Sequence, residues 1–205
     1  MAERPTPTTR TDPHSFEGML DTLDDLNAPD GFRAEIIGGN IVVSPWSQGY
    51  CLDVMDLVCE QLRPHLPDGH RISQAPALYV FPDAERAYGP SIHAVPERAR
   101  RTTSTHLDGE ALSFVAELTS PSTRSMDLTD KVEDYGRAGV PLYLVLDMQR
   151  EEATIFWGPY AKGYEGRVTK PFGEKLPLPA PFDCVLDTTG FHAPQKLAPQ
   201  EPEQS

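Results

Sequence analysis

The stretch LSFVAELTSPSTRSMDLTDKVEDYGRAGVPLYLVLD, residues 112–147, decides how this chain folds. Its two ends, LSFVAEL at 112–118 and PLYLVLD at 141–147, are short, almost wholly apolar runs. Runs of that length and composition are expected of central strands covered on both faces. Ser120-Pro121 closes the first run. A helix is predicted from about Asp127 to Ala138, with Asp127 as its N-cap and Gly139 as its C-terminal stop.

Outward from this block the pattern keeps alternating. EEATIFW at 151–157 reads as the hairpin partner of the second run. Upstream, RAEIIGGNIVVSP at 33–45 reads as two strands joined at Gly38-Gly39, residues that accept the positive φ of a tight turn. Phe16, Met19, Leu20, Leu23 and Leu26 fall near helical spacing behind Ser15. A second helix is predicted over QGYCLDVMDLVCEQLRPHL at 48–66, with Leu52, Met55, Val58, Cys59 and Leu62 as its apolar face and Pro64 helping to end it. ISQAPALYVFP at 72–82 is expected to be one strand and SIHAV at 91–95 another. Mixed strands with two or three helices define an α/β or α+β domain around one mixed sheet.

The chain has 205 residues, a length for one domain with tails. The domain is expected over residues 15–191, with Pro-rich polar tails at 1–14 and 192–205 that bury too little apolar surface to order. No apolar run approaches the ~18–20 residues of a membrane span, and the N-terminal fifteen residues lack a signal-peptide core. Cys51, Cys59 and Cys184 show no C-x-x-C spacing for a zinc site, and Cys51 and Cys59, eight apart on the second predicted helix, read as buried reduced thiols. A cytoplasmic location is the expectation. Lys and Arg total 18 against 31 Asp and Glu, a net charge of -13, so this is no general nucleic-acid coat protein. DNA contact would have to be local, metal-assisted or partner-assisted.

Glu117 is the most informative residue, because it sits among Phe114, Val115, Ala116 and Leu118 in the most apolar strand. An ionised carboxylate left unpaired there costs several kcal/mol, so it must be ion-paired, metal-bound or at a strand end facing a cleft. Lys131 is the candidate partner, ~60° around the helix from the inward-facing Leu128. A carboxylate and a lysine at a cleft are what metal-assisted phosphodiester hydrolysis uses: the acid holds a hard cation, and the lysine offsets developing charge or orients water. A structural ion pair is the alternative reading of the same two residues.

ELTSPST at 117–123, followed by Asp127, Lys131, Tyr135, Gly139-Val140 and LYLVLD at 142–147, resembles the signature of the Uma-type restriction-endonuclease family, a bacterial group within the PD-(D/E)XK nucleases. AEIIGGNIVVSP at 34–45 resembles the family's glutamate-bearing hairpin, and GPSIHAVPE at 89–97 falls where the family carries its Pro-Asp strand. The resemblance spans residues 15–191. It implies a restriction-endonuclease-like fold, a mixed β-sheet flanked by helices, and Mg²⁺- or Mn²⁺-dependent cleavage of DNA. Glu117 would be the metal-binding acid, Lys131 the migrated lysine (Thr119 holds its usual place) and Glu35 a supporting acid. A homodimer is compatible with the resemblance, and no membrane partner is implied.

The family's first metal ligand, the Asp after Pro, is Ser91 here. A neutral hydroxyl is a poor ligand for Mg²⁺, which prefers carboxylates and water in an octahedron. Two functions of different class therefore stand: a nuclease with a degenerate metal site, and a catalytically silent pseudonuclease that binds nucleic acid or protein. His93 shares the strand face of Ser91 but suits transition metals, and Asp83 and Glu85 precede the strand as weaker substitutes. The basic run ERARR at 97–101 and the cluster Lys162, Arg167, Lys170 and Lys175 are too small to override the acidic total. Trp46 and Trp157 are expected to pack in the core or at its edge rather than to serve as base-stacking platforms.

Overall fold

The computed structural model describes residues 12–192. The predicted tails at 1–14 and 192–205 lie outside the described residues, apart from Asp12–His14, which turn into the first helix, and His192. Ser15 caps that helix, α1 (Phe16–Asp25), by accepting a hydrogen bond from the Gly18 amide. β1 (Phe32–Ile37) and β2 (Asn40–Pro45) form the expected hairpin, with Gly38 and Gly39 both at positive φ in the turn. α2 (Tyr50–Leu62) buries Cys51, Val54, Met55, Val58, Cys59 and Leu62 and passes into a 3-10 turn that contains Pro64. Leu52, assigned to that apolar face from sequence, is instead half exposed.

The rest of the chain is mostly β: β3 (His70–Ser73), β4 (Leu78–Phe81), β5 (Arg86–Tyr88), β6 (Ile92–Pro96), β7 (His106–Asp108) and β8 (Phe114–Thr119). Two short helices follow, α3 (Arg124–Leu128) and α4 (Asp130–Arg137), then β9 (Leu142–Asp147), β10 (Glu152–Tyr160), β11 (Gly163–Pro171), β12 (Lys175–Leu178) and β13 (Cys184–Asp187).

The α/β class is as expected, but the strands build two main sheets rather than one. A five-stranded sheet runs β2-β1-β5-β4-β7, a six-stranded sheet runs β11-β10-β9-β8-β6-β3, and β12-β13 make a small hairpin. The run at 72–82 is therefore not a single strand: β3 belongs to the larger sheet and β4 to the smaller. Pro76 lies in the break and Pro90 in the return crossing between β5 and β6. Proline has no N–H for a ladder, so each crossing falls where pairing cannot continue.

β8 lies inside the larger sheet, parallel to β9 and antiparallel to β6, and every residue of β8 and β9 is buried. Alternation splits β8 between two cores. Phe114, Ala116 and Leu118 pack with α2, while Val115 points toward α4 among Tyr88, Tyr135, Tyr143 and Phe156. Glu117 shares the face of Val115.

The helix predicted from Asp127 to Ala138 is two helices broken at Thr129, whose φ of -127° and ψ of -80° are not helical. The Thr129 hydroxyl donates back to the Ser125 carbonyl, a competing bond that disturbs the helix at this point. Asp127 is consequently no N-cap: it lies within α3 and is buried. α4 sits unusually close to β11. A Cβ on Gly136 would fall 2.0 Å from the Gly163 carbonyl oxygen, so glycine is what allows this approach. That contact fixes the height of α4 over the sheet, and with it the position of Lys131. Among the described residues no helix is long and apolar enough to cross a membrane.

Candidate functional site

Elements from both sheets converge on one buried group of charges. β1 carries Arg33 and Glu35, two residues apart and therefore on one face. β8 carries Glu117, and the crossing between β5 and β6 carries Ser91. α3 and α4 supply Asp127, Lys131 and Tyr135, with Asp127 and Lys131 four apart on facing turns.

Lys131 is the hub. Its Nζ lies 2.7 Å from Glu117 Oε1, 3.2 Å from Asp127 Oδ1 and 3.5 Å from Glu35 Oε1. The Asp127 contact is off the angle of a hydrogen bond, leaving that oxygen paired by charge alone. Arg33 closes the other side, with Nε 3.5 Å from Glu35 Oε2 and Nη2 3.7 Å from Glu117 Oε2. Ser91 donates from Oγ to Glu117 Oε2 at 3.2 Å and from its amide at 3.4 Å, and its Oγ accepts from the Leu118 amide at 3.4 Å. Tyr135 Oη donates to Glu117 Oε1 at 3.4 Å, and the Gly89 amide donates to Glu35 Oε1 at 2.9 Å.

Burial and the neighbouring charges together set the protonation states. Burial disfavours a charged Glu117, but Lys131 and Arg33 outweigh it and hold the carboxyl below its ordinary range. Burial disfavours the Lys131 ammonium too, and Glu117, Glu35 and Asp127 together raise its pKa above that of a free lysine. Lys131 is therefore a fixed cation and not a proton acceptor. Asp127 is pushed up to about 6, first by burial and then by the charge of Glu117, against the pull of Lys131.

The three carboxylates and two cations sum to a formal -1, and the oxygens of Glu117 are already spoken for. Adding Mg²⁺ would reverse that balance in a buried place and would demand near-octahedral oxygen ligands. Ser91, which the resemblance sets in the place of an aspartate, offers only a hydroxyl already turned toward Glu117. Among the described residues no group of three His, Cys, Asp or Glu side chains has the arrangement of a metal site. The residues as they stand do not fit a tightly held Mg²⁺.

All four residues singled out from sequence, Glu35, Ser91, Glu117 and Lys131, are thus brought together. The weaker candidates are not. His93 is buried against Tyr79, ring centroids 5.1 Å apart, and its Nδ1 has no partner. Burial, with Arg100 adding, pushes its pKa down to about 4. Asp83 and Glu85 are exposed in the turn before β5. The basic run at 97–101 lies beyond the far end of β6, where Arg71 and Arg101 both pair with Glu97. Trp157 packs against the core of the larger sheet, and Trp46, 40% exposed, lies at an edge with the Arg33 guanidinium over its ring.

Sequence reasoning missed Arg33 and misassigned Asp127. The signal for Arg33 was its period-2 relation to Glu35 on a hairpin strand; the signal for Asp127 was its spacing of four from Lys131.

Two mixed sheets meet at this buried glutamate–lysine centre, and the α/β fold is of the restriction-endonuclease-like class. The chain belongs to the Uma2 family, described as "Putative restriction endonuclease", which matches residues 20–189. A similar solved structure is a "putative nuclease belonging to DUF820" from Anabaena variabilis ATCC 29413, with a TM-score of 0.60 at 15% identity over 84% of this chain and 92% of that one. At that identity the likeness shows the fold alone. No curated protein matches the chain.

Proposed function

We propose that this nuclease-family protein binds DNA at the Arg33–Ser91 edge of the charge cluster, with the phosphodiester site retained for binding and attenuated for cleavage. One observation carries the reading: Ser91 Oγ donates to Glu117 Oε2 at 3.2 Å, at the position where the resemblance places a metal-binding aspartate. The loss of one carboxylate there weakens the hold on Mg²⁺ or Mn²⁺ that the family's hydrolysis calls for. Arg33, the most exposed member of the cluster with 11% of its side chain open, remains charged and supplies positive charge for a phosphate oxygen, while Lys131 stays buried against its carboxylates. A cytoplasmic, bacterial setting belongs to the same proposal. The closeness of Glu117 and Lys131, 2.7 Å, favours a second reading, a fully competent metal-dependent endonuclease.

Labelled DNA incubated with Mg²⁺ or Mn²⁺ separates the two. The attenuated reading expects binding with slow or no cleavage, and cleavage that appears or rises in Ser91→Asp, most clearly with Mn²⁺. Efficient cutting by the natural protein in Mg²⁺ supports the second reading. Loss of an existing activity in Ser91→Ala would make the serine itself catalytic and overturn both.

A further inference from the structure

Beside the charge cluster lies a cavity of about 190 Å³, lined by Arg33, Trp46, Leu52, Met55, Gln74 and Ser91 among others. Pockets for drug-sized molecules run to roughly 300–1,000 Å³, so this one has room for a single ring system. Arg33 and Ser91 belong both to the cavity and to the shell of Glu117, so whatever fills the cavity is continuous with whatever meets the charged site. Trp46 stands at the cavity 40% exposed, with the Arg33 guanidinium 5.6 Å from its ring, and Leu52 is 50% exposed. One polar atom is left over: Gln74 donates Nε2 to Asp56 but leaves its buried Oε1 unpaired.

We propose that this cavity receives one unpaired nucleobase of a DNA strand whose phosphate lies at Arg33 and Ser91. The substrate class is then single-stranded or locally unpaired DNA, an assignment that rests on the DNA-binding reading above. Trp46 supplies a stacking face, Leu52 and Met55 an apolar wall, and Gln74 Oε1 an acceptor for a base N–H. Charge points the same way. With a net charge of -13 the chain repels the phosphates of either form, so affinity has to come from stacking, and only an unpaired base offers its face to Trp46. An intact base pair is too large for the cavity.

Fluorescence anisotropy with a labelled 15-mer, single-stranded and as its duplex, tests this. The single strand is expected to bind at least about tenfold more tightly and to quench tryptophan fluorescence. Trp46→Ala should weaken single-strand binding about tenfold while leaving the melting temperature in place, and Trp46→Phe should keep most of the binding but lose the quench. Equal affinity for the two forms, or single-strand binding that Trp46→Ala does not change, overturns the base slot and leaves DNA binding standing. No binding of either form overturns the slot together with the reading it rests on.

Discussion

Helix α4 carries ion pairs on both of its faces, with the same chemistry in opposite surroundings. On the outer face Arg137 pairs with Glu133, both side chains about half exposed. On the inner face Lys131 meets Glu117, Glu35 and Asp127 with every side chain at most 3% exposed. Exposed pairs are screened and contribute roughly 0–1 kcal/mol. Buried clusters first lose the hydration of every member, so apolar residues of similar volume are often as stable or more so. Stability is therefore a weak reason for the inner cluster to exist. Its setting at the junction of two sheets, beside a cavity, points to function instead.

The sharpest break of that contrast is Lys131→Met. It leaves Glu35, Glu117 and Asp127 facing one another with only Arg33 nearby, and a loss of roughly 3–5 kcal/mol is expected from urea denaturation. Glu117→Gln is expected to cost less, about 2–3 kcal/mol, because Lys131 keeps Glu35 and Asp127 as partners. An unchanged or raised midpoint would instead mean that repulsion with Glu35 dominates and that the carboxylate is held ready for a ligand.

Acid sharpens the comparison through two groups of opposite sign. His93 has its folded pKa lowered to about 4, so its contribution is present above the unfolded value near ~6.5 and is lost as pH falls toward 4. Asp127 has its folded pKa raised to about 6, so its contribution is present below the unfolded value near ~3.9 and is lost as pH rises through 6. Between pH 4 and 6 the two oppose each other. Relative to the natural protein, His93→Gln should gain up to roughly 2–3 kcal/mol as pH is lowered from 6.5 to 4, and Asp127→Asn should move the other way. Matching pH profiles for all three proteins would remove both assignments. The smallest effect belongs to the outer face, where Arg137→Ala should shift stability by no more than about 0.5 kcal/mol.

Legibility in the sequence followed the same division between local pattern and long-range contact. The buried runs at 112–118 and 141–147, the Gly38-Gly39 hairpin and the first two helices declare themselves through period, length and turn chemistry. Glu117 was conspicuous because a carboxylate in an apolar strand needs an explanation. The second sheet was not legible, since nothing local tells a strand which sheet it joins; only Pro76 and Pro90 mark the crossings. Asp127 resembled a cap because the break at Thr129 depends on a side-chain bond back to Ser125 that propensity does not foresee. Core and edge could not be told apart for Trp46 and Trp157, because hydrophobicity alone cannot say which aromatic ring stays open to solvent.

Calorimetric titration with Mg²⁺ and Mn²⁺, comparing the natural protein with Ser91→Asp, reaches the central claim most directly. If the missing aspartate is what attenuates the site, the natural protein binds either ion weakly, and the added carboxylate beside Glu117 tightens binding at least tenfold. Tight binding by the natural protein, or an unchanged affinity in Ser91→Asp, would contradict it.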